Sequence, residues 1–257
     1  MKKIYVCNDS EEGIFSAIYD AWKTGLGEEM LGIALKGSVE PEFFCEYIEV
    51  EESHKKMVAV QNLIRRHLGK DASWNIYHAI LSQDTQKADA ILGMMLAAKC
   101  IADSRKIMGH LSHPKVQKVF TLGRKVANEA HYYVEFVRFA EWEDGILFSE
   151  IEPKNCILSC IANHFENRFP LENWIIFDKT HNMALVHEKG KRCIIAHELG
   201  QDLTKKGETS EHDSVYTKLW KVFFESIAIK ERENKKLQRQ NLPIYFREHM
   251  TEFKQHT

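Results

Sequence analysis

The spacing of apolar positions switches along the chain between a helical period and an extended one, and the switches mark the elements. Ile4–Cys7 is a short apolar run closed by Asn8-Asp9-Ser10, which predicts a first strand. Asp9 or Ser10 then caps a helix over Gly13–Lys23, with Ile14, Ile18 and Ala21 or Trp22 on one face. Phe43–Val50 alternates weakly and ends in three glutamates around Val50, which suits a second strand. Helices follow over about 53–68, 71–82 and 85–103, because apolar residues recur at three and four: Val58, Ile64 and Leu68, then Ile91, Met95 and Ala98.

His113-Pro114 opens a further long helix reaching about Val134, with proline in its first turn. There the period changes. Phe136–Trp142 and Ile146–Ile151 flank Glu143-Asp144-Gly145, and an Asp-Gly turn between two such runs predicts a hairpin. Glu152-Pro153 opens a helix over about 156–168. Trp174–Asp178 and Met183–Glu188 form a second hairpin around Lys179–Asn182, and Lys191–Ala196 adds a strand. Residues 199–213 read as a polar linker, followed by a long helix over about 212–238, Pro243 and a last short helix. The predicted class is α+β: a helical layer packed with an antiparallel ββαββ unit and closed by a long C-terminal helix. It is taken as a single domain over 1–257, mainly helical over 1–134, with the sheet unit over 135–198 and the linker and C-terminal helices over 199–257.

Composition narrows the class of protein. The chain has 257 residues, 44% of them hydrophobic and 11% aromatic, enough for a sizeable core, which excludes a disordered chain. No run of about 18 uncharged apolar residues offers a membrane span, and the early charge at Asp9 argues against a signal segment. A cytoplasmic protein is expected, with its six scattered cysteines reduced and buried. The net charge of −2 hides an asymmetry. Residues 1–60 carry six Lys or Arg against twelve Asp or Glu. Residues 105–138 carry seven against two, and residues 218–257 nine against five. The two basic segments are candidates for one electropositive face.

Motifs for self-sufficient chemistry are missing: no phosphate-binding glycine loop, no His-Glu-x-x-His, no paired Cys-x-x-Cys, no Gly-x-Ser-x-Gly. Cys156 and Cys160 stand four apart, which on a helix would place them on one face, but their neighbours Ile157, Leu158 and Ile161 favour core packing. No metal and no cofactor are expected.

Two constellations remain. Arg124, Asn128, His131 and Glu135 lie within about 60° of one another on a helix, opposite Val119, Leu122, Val126, Ala130 and Tyr133. A solvated charged face would look the same. The sharper reading is a cleft lined by His131, Arg124 and Arg138, with His131 and Glu135 as an acid/base pair. Towards the C-terminus, Lys230, Arg232, Asn234, Lys235, Lys236 and Arg239 are dense, with Tyr245 and Phe246 beyond. These are side chains that contact phosphates and base edges, and equally those of a solvated helix end.

Several strings carry a resemblance: Glu129-Ala-His131 through Phe136-Val-Arg138-Phe139, Ile151-Glu152-Pro153, and Trp174 through Asp178. The most specific lies between Leu219-Trp220 and Leu237-Gln-Arg-Gln240. The chain resembles a bacterial family of DNA repair or DNA metabolism proteins that carry the DUF4130 domain. That resemblance implies an accessory role, DNA as a salt-sensitive partner, and a radical-SAM DNA-repair protein that would hold the iron–sulfur cluster. The alternatives are a DNA-processing enzyme, a nuclease or base-removing activity centred on His131 and Glu135, and a structural adaptor without DNA contact.

Overall fold

The structure is a computed structural model that describes residues 1–142, 145–197, 219, 234–247, 250 and 253. The chain divides into two compact units, Met1–Asn128 and Glu129–Thr257.

The first unit is built on a three-stranded parallel sheet in the order β2-β1-β3, with β1 at Lys2–Cys7, β2 at Leu31–Leu35 and β3 at Cys45–Glu49. The strand β1 is central and buries Ile4–Cys7. The following helix α1, Glu11–Lys23, starts at Ser10, whose hydroxyl accepts from the Gly13 backbone N–H at 2.8 Å. Its Ile14, Ile18 and Ala21 face inward, on the predicted side. Helices α2 (His54–His67) and α3 (Gly69–Ile80) present Val60, Ile64 and Ile76 to the same core. Helix α4, Lys87–Ala98, is buried almost all round, from Ala88 to Ala98, as a central helix must be. Helix α5, Pro114–Phe136, adds Val116, Val119 and Leu122.

The strand β2 was not expected. Leu31-Gly-Ile-Ala-Leu35 is a short apolar run without alternation, because a strand in a parallel sheet is covered on both faces. The region taken as mainly helical therefore contains a sheet of its own.

The second unit holds a five-stranded sheet in the order β4-β5-β6-β7-β8, formed by Ala140–Glu141, Leu147–Ile151, Trp174–Asp178, Met183–His187 and Ile194–His197. The hairpin β4–β5 closes through Gly145, whose φ of 78° is the left-handed geometry that the Asp-Gly signal demands. The second hairpin, β6–β7, turns at Asn182, with φ 52°. Helix α6, Leu158–Arg168, buries Leu158, Ile161 and Phe165. Trp174 is fully buried, stacks on His187 at 4.9 Å and 7°, and donates Nε1–H to the Phe169 carbonyl at 3.2 Å. Two short helices, α7 (Lys235–Asn241) and α8 (Ile244–Arg247), follow; Phe246 of α8 packs against Tyr132, Tyr133 and Phe136 in the last turns of α5.

The sheet is mixed, not antiparallel. Strands β5 and β6 run parallel, Leu147 opposite Trp174 and Ile151 opposite Asp178. A helix joins them, and a strand–helix–strand path returns the chain in the same direction. The α+β class holds. The long helix expected over 212–238 falls mostly outside the described residues. Among the described residues, no helix is long and apolar enough to cross a membrane.

Candidate functional site

The carboxyl ends of the parallel pair β5 and β6 gather the second unit's chemistry. Strand β6 is a buried apolar run that ends in a fully buried carboxylate, Asp178. A buried carboxylate needs donors, and the turn that follows supplies two. Asp178 Oδ1 accepts from the His181 backbone N–H at 3.1 Å, and Oδ2 accepts from His181 Nδ1 at 2.7 Å. The His181 side chain is 21% exposed, so the ring spans buried carboxylate and solvent.

Cys156 is the ring's other neighbour. It lies in the loop between β5 and α6, beside the imidazole. The Asp178 hydrogen bond is the larger cause, and the nearby Cys156 the second, of a His181 pKa pushed up to about 10; burial opposes both. The thiol is half-buried and stands two residues before Leu158, the first residue of α6.

The loop is held from α5. Glu129 accepts from the Lys154 backbone N–H at 2.8 Å, from the Asn155 backbone N–H at 3.1 Å, and from the Asn155 side-chain amide. One turn on, Tyr133 is buried with Tyr245 of α8 nearby; burial first, and Tyr245 second, push its pKa upward. Lys154 Nζ lies 5.8 Å from the Tyr245 ring centre. Cys156, Asp178, His181, Glu129 and the two tyrosines thus form one neighbourhood within this unit.

The other thiols are differently placed. All six cysteines are free, yet only Cys7 is buried, against the expectation that the set would be. Burial pushes Cys7 up to about 12 and Cys160 up to about 11. Cys193 is also pushed up to about 11, by burial and then by Glu166, whose carboxylate accepts from its Sγ at 3.1 Å. Cys156 does not share a helix face with Cys160, because α6 begins only at Leu158. Among the described residues, no group of three or more His, Cys, Asp or Glu is placed to hold a metal ion.

The residues singled out from sequence that are described lie on α5, just after it, and on α7 or at its cap. On α5, Arg124, Asn128, His131 and Glu135 are all exposed. His131 Nε2 lies 3.1 Å from Glu135 Oε1, with side chains 71% and 48% exposed, so this pair stands in water. Arg124 lies over the Phe120 ring at 5.7 Å. Arg138 turns back and donates Nη1–H to the carbonyls of Glu135 and Val137, at 3.0 and 3.2 Å. Asn234 caps α7, accepting from the Leu237 N–H at 2.9 Å, and Lys235, Lys236 and Arg239 on that helix are exposed. Lys230 and Arg232 lie outside the described residues. In the first unit, a cavity of about 720 Å³ is lined by Lys2, Glu28, Asp89, Gly93 and Lys115, among others. Both lysines at its wall are paired, Lys115 with Asp89 and Lys2 with Glu42 at 2.9 Å.

Sequence reasoning missed the Asp178–His181–Cys156 cluster. The available signal was an aspartate closing an apolar strand with a histidine three residues on, and a cysteine just ahead of a helix.

The fold defines an α+β protein with a parallel β5–α6–β6 crossover carrying a polar cluster at its carboxyl end. Residues 85–252 match the family described as Domain of unknown function DUF4130, and the chain belongs to that family. A search of curated proteins found no match.

Proposed function

We propose that this chain is an accessory protein of DNA repair or DNA metabolism in the bacterial cytoplasm, that it contacts nucleic acid directly, and that it works beside a radical-SAM partner. The resemblance in sequence names the process. The observation that supports nucleic-acid contact is the exposed basic surface of α7. Lys235 and Arg239 stand one turn apart, Lys236 is adjacent, and the part-exposed Tyr245 follows on α8 with Lys154 beside its ring. Cations that track a phosphate backbone beside an aromatic ring on which bases stack form a general single-strand binding arrangement.

Such binding is electrostatic and sequence-tolerant. Replacing Lys235, Lys236 and Arg239 together by glutamate should weaken DNA binding and reduce the slope of log affinity against log salt by about 2–3. The test is fluorescence anisotropy with single- and double-stranded oligonucleotides across a salt series. Binding left unchanged in low salt by the triple replacement would remove α7 as the contact surface.

A further inference from the structure

The first unit gathers two exposed aromatic rings around a cavity of its own. Trp74 is 47% exposed and Tyr77 38%, and they stand three residues apart on α3. Both line a cavity of about 360 Å³, a volume in the range of small-ligand sites, to which α1 contributes Glu11 and α2 contributes Gln61 and Arg65. We propose that this cavity binds a nucleotide: the base stacks on Trp74 and Tyr77, Glu11 and Gln61 accept from the base edge, and Arg65 holds the phosphate. A free nucleotide and one unit of a single strand present the same chemistry to these residues. The cavity lies in the first unit and owes nothing to the reading of α7.

The rings form a fixed platform. The buried His78 lies 3.9 Å from the Trp74 ring and meets Tyr77 edge-on at 5.5 Å. His78 is itself held, because its Nδ1 lies 2.8 Å from the Trp74 carbonyl. A carbonyl only accepts, so Nδ1 carries the proton and donates. A base stacking here meets rings already ordered, and little side-chain entropy is lost on binding. Phe15, Ile64 and Ile76, all buried, make the rest of the wall apolar. Stacking on such rings is tolerant of base identity, because every base has a π-face.

The polar groups divide into acceptors and a cation. Gln61 Nε2 donates to Glu11 Oε1 at 2.8 Å, which orients the amide and leaves its carbonyl oxygen and the second Glu11 oxygen as acceptors. Acceptors of this kind suit the ring and amino N–H groups on a base edge. Arg65 follows Gln61 by four residues, on the same face of α2, and is exposed. Among the described residues it has no carboxylate partner. A guanidinium matches a phosphate with two parallel hydrogen bonds. One helical turn, about 5.4 Å, separates the acceptors from the cation, as a sugar separates base from phosphate.

The test is photochemical labelling, because a 5-iodouracil base stacked on an aromatic ring bonds to it under long-wave ultraviolet light. The full-length protein is irradiated with 5-iodo-2′-deoxyuridine 5′-monophosphate in one arm. In the other it is irradiated with a single-stranded oligonucleotide carrying one 5-iodo-deoxyuridine. Labelled residues are mapped by peptide mass spectrometry. Tyr47 is the internal reference, being as exposed as Tyr77, at 38%, but outside the cavity. Label at Trp74 and Tyr77 together should exceed that at Tyr47 about tenfold, the fold-change that one stacked base gives. Label in the free-nucleotide arm marks a free nucleotide as ligand, and label in the oligonucleotide arm alone marks a strand. Arg65→Gln should lower the label in that arm about tenfold, as loss of a charge-assisted contact does. Label no greater at Trp74 and Tyr77 than at Tyr47 in both arms overturns the proposal, whether or not the variant folds. An Arg65→Gln protein with an unchanged melting temperature that labels as well as wild type overturns it too. The readout is which residue is labelled, so failure here and failure of the α7 surface are distinguishable.

Discussion

Asp178 holds His181 twice, by the backbone N–H at 3.1 Å and by ring Nδ1 at 2.7 Å. One carboxylate therefore caps the β6–β7 turn and orients an imidazole, and the turn and the site share a stabilising contact.

That contact makes stability pH-dependent in a defined window. The folded-state pKa of His181 is pushed up to about 10, whereas an unfolded histidine titrates near 6.5. A raised folded pKa means the contribution is complete below about pH 6.5 and is lost as pH climbs towards about 10. The urea midpoint should fall over this interval, and His181→Gln should flatten the dependence there. Parallel wild-type and variant curves from pH 6 to 10 would refute this account of the turn.

Glu129 clamps the loop ahead of Cys156 through two backbone N–H groups and one side-chain amide. Removing the carboxylate leaves the two Asn155 donors unsatisfied in a part-buried setting. Glu129→Ala should cost about 1–3 kcal/mol, measured by urea unfolding. A loss under about 0.5 kcal/mol, the usual range for an ordinary surface replacement, would mean the loop holds its shape without the clamp.

Gly13 tests local propensity against packing. Alanine is the better helix former by about 1 kcal/mol. A Cβ at this position of α1, however, would meet the Asn8 carbonyl oxygen at 2.7 Å and Glu52 Oε1 at 2.7 Å. The first of these is backbone and cannot swing away. Overpacking of this kind costs about 1–3 kcal/mol, so Gly13→Ala should lower the melting temperature. A stabilised variant would show that the β1–α1 turn relaxes freely.

Much of the scaffold was legible because its signals are local. The helical period over Ile91, Met95 and Ala98 marks α4, and Asp144-Gly145 marks a hairpin whose Gly145 has the left-handed backbone such turns use. The strand β2 escaped because Leu31–Leu35, covered on both faces, has no polar alternation to reveal it. Strand direction in the β5–β6 pair was misread from hairpin signals on either side, although the intervening helix implied a parallel return. The candidate site was hidden for a related reason. Asp178 and His181 are close in sequence, but the crossover alone brings Cys156 to them. The polar stripe on α5, conspicuous in sequence, places His131 and Glu135 in solvent.

The β5–α6–β6 crossover gives the thiol and the imidazole unequal tethers. His181 reaches Asp178 across a single tight turn, whereas Cys156 arrives only when the chain has looped from Ile151 to Trp174. The chain entropy of the longer closure is larger. The carboxylate–imidazole contact is therefore the more local of the two closures, and it forms without waiting for the crossover.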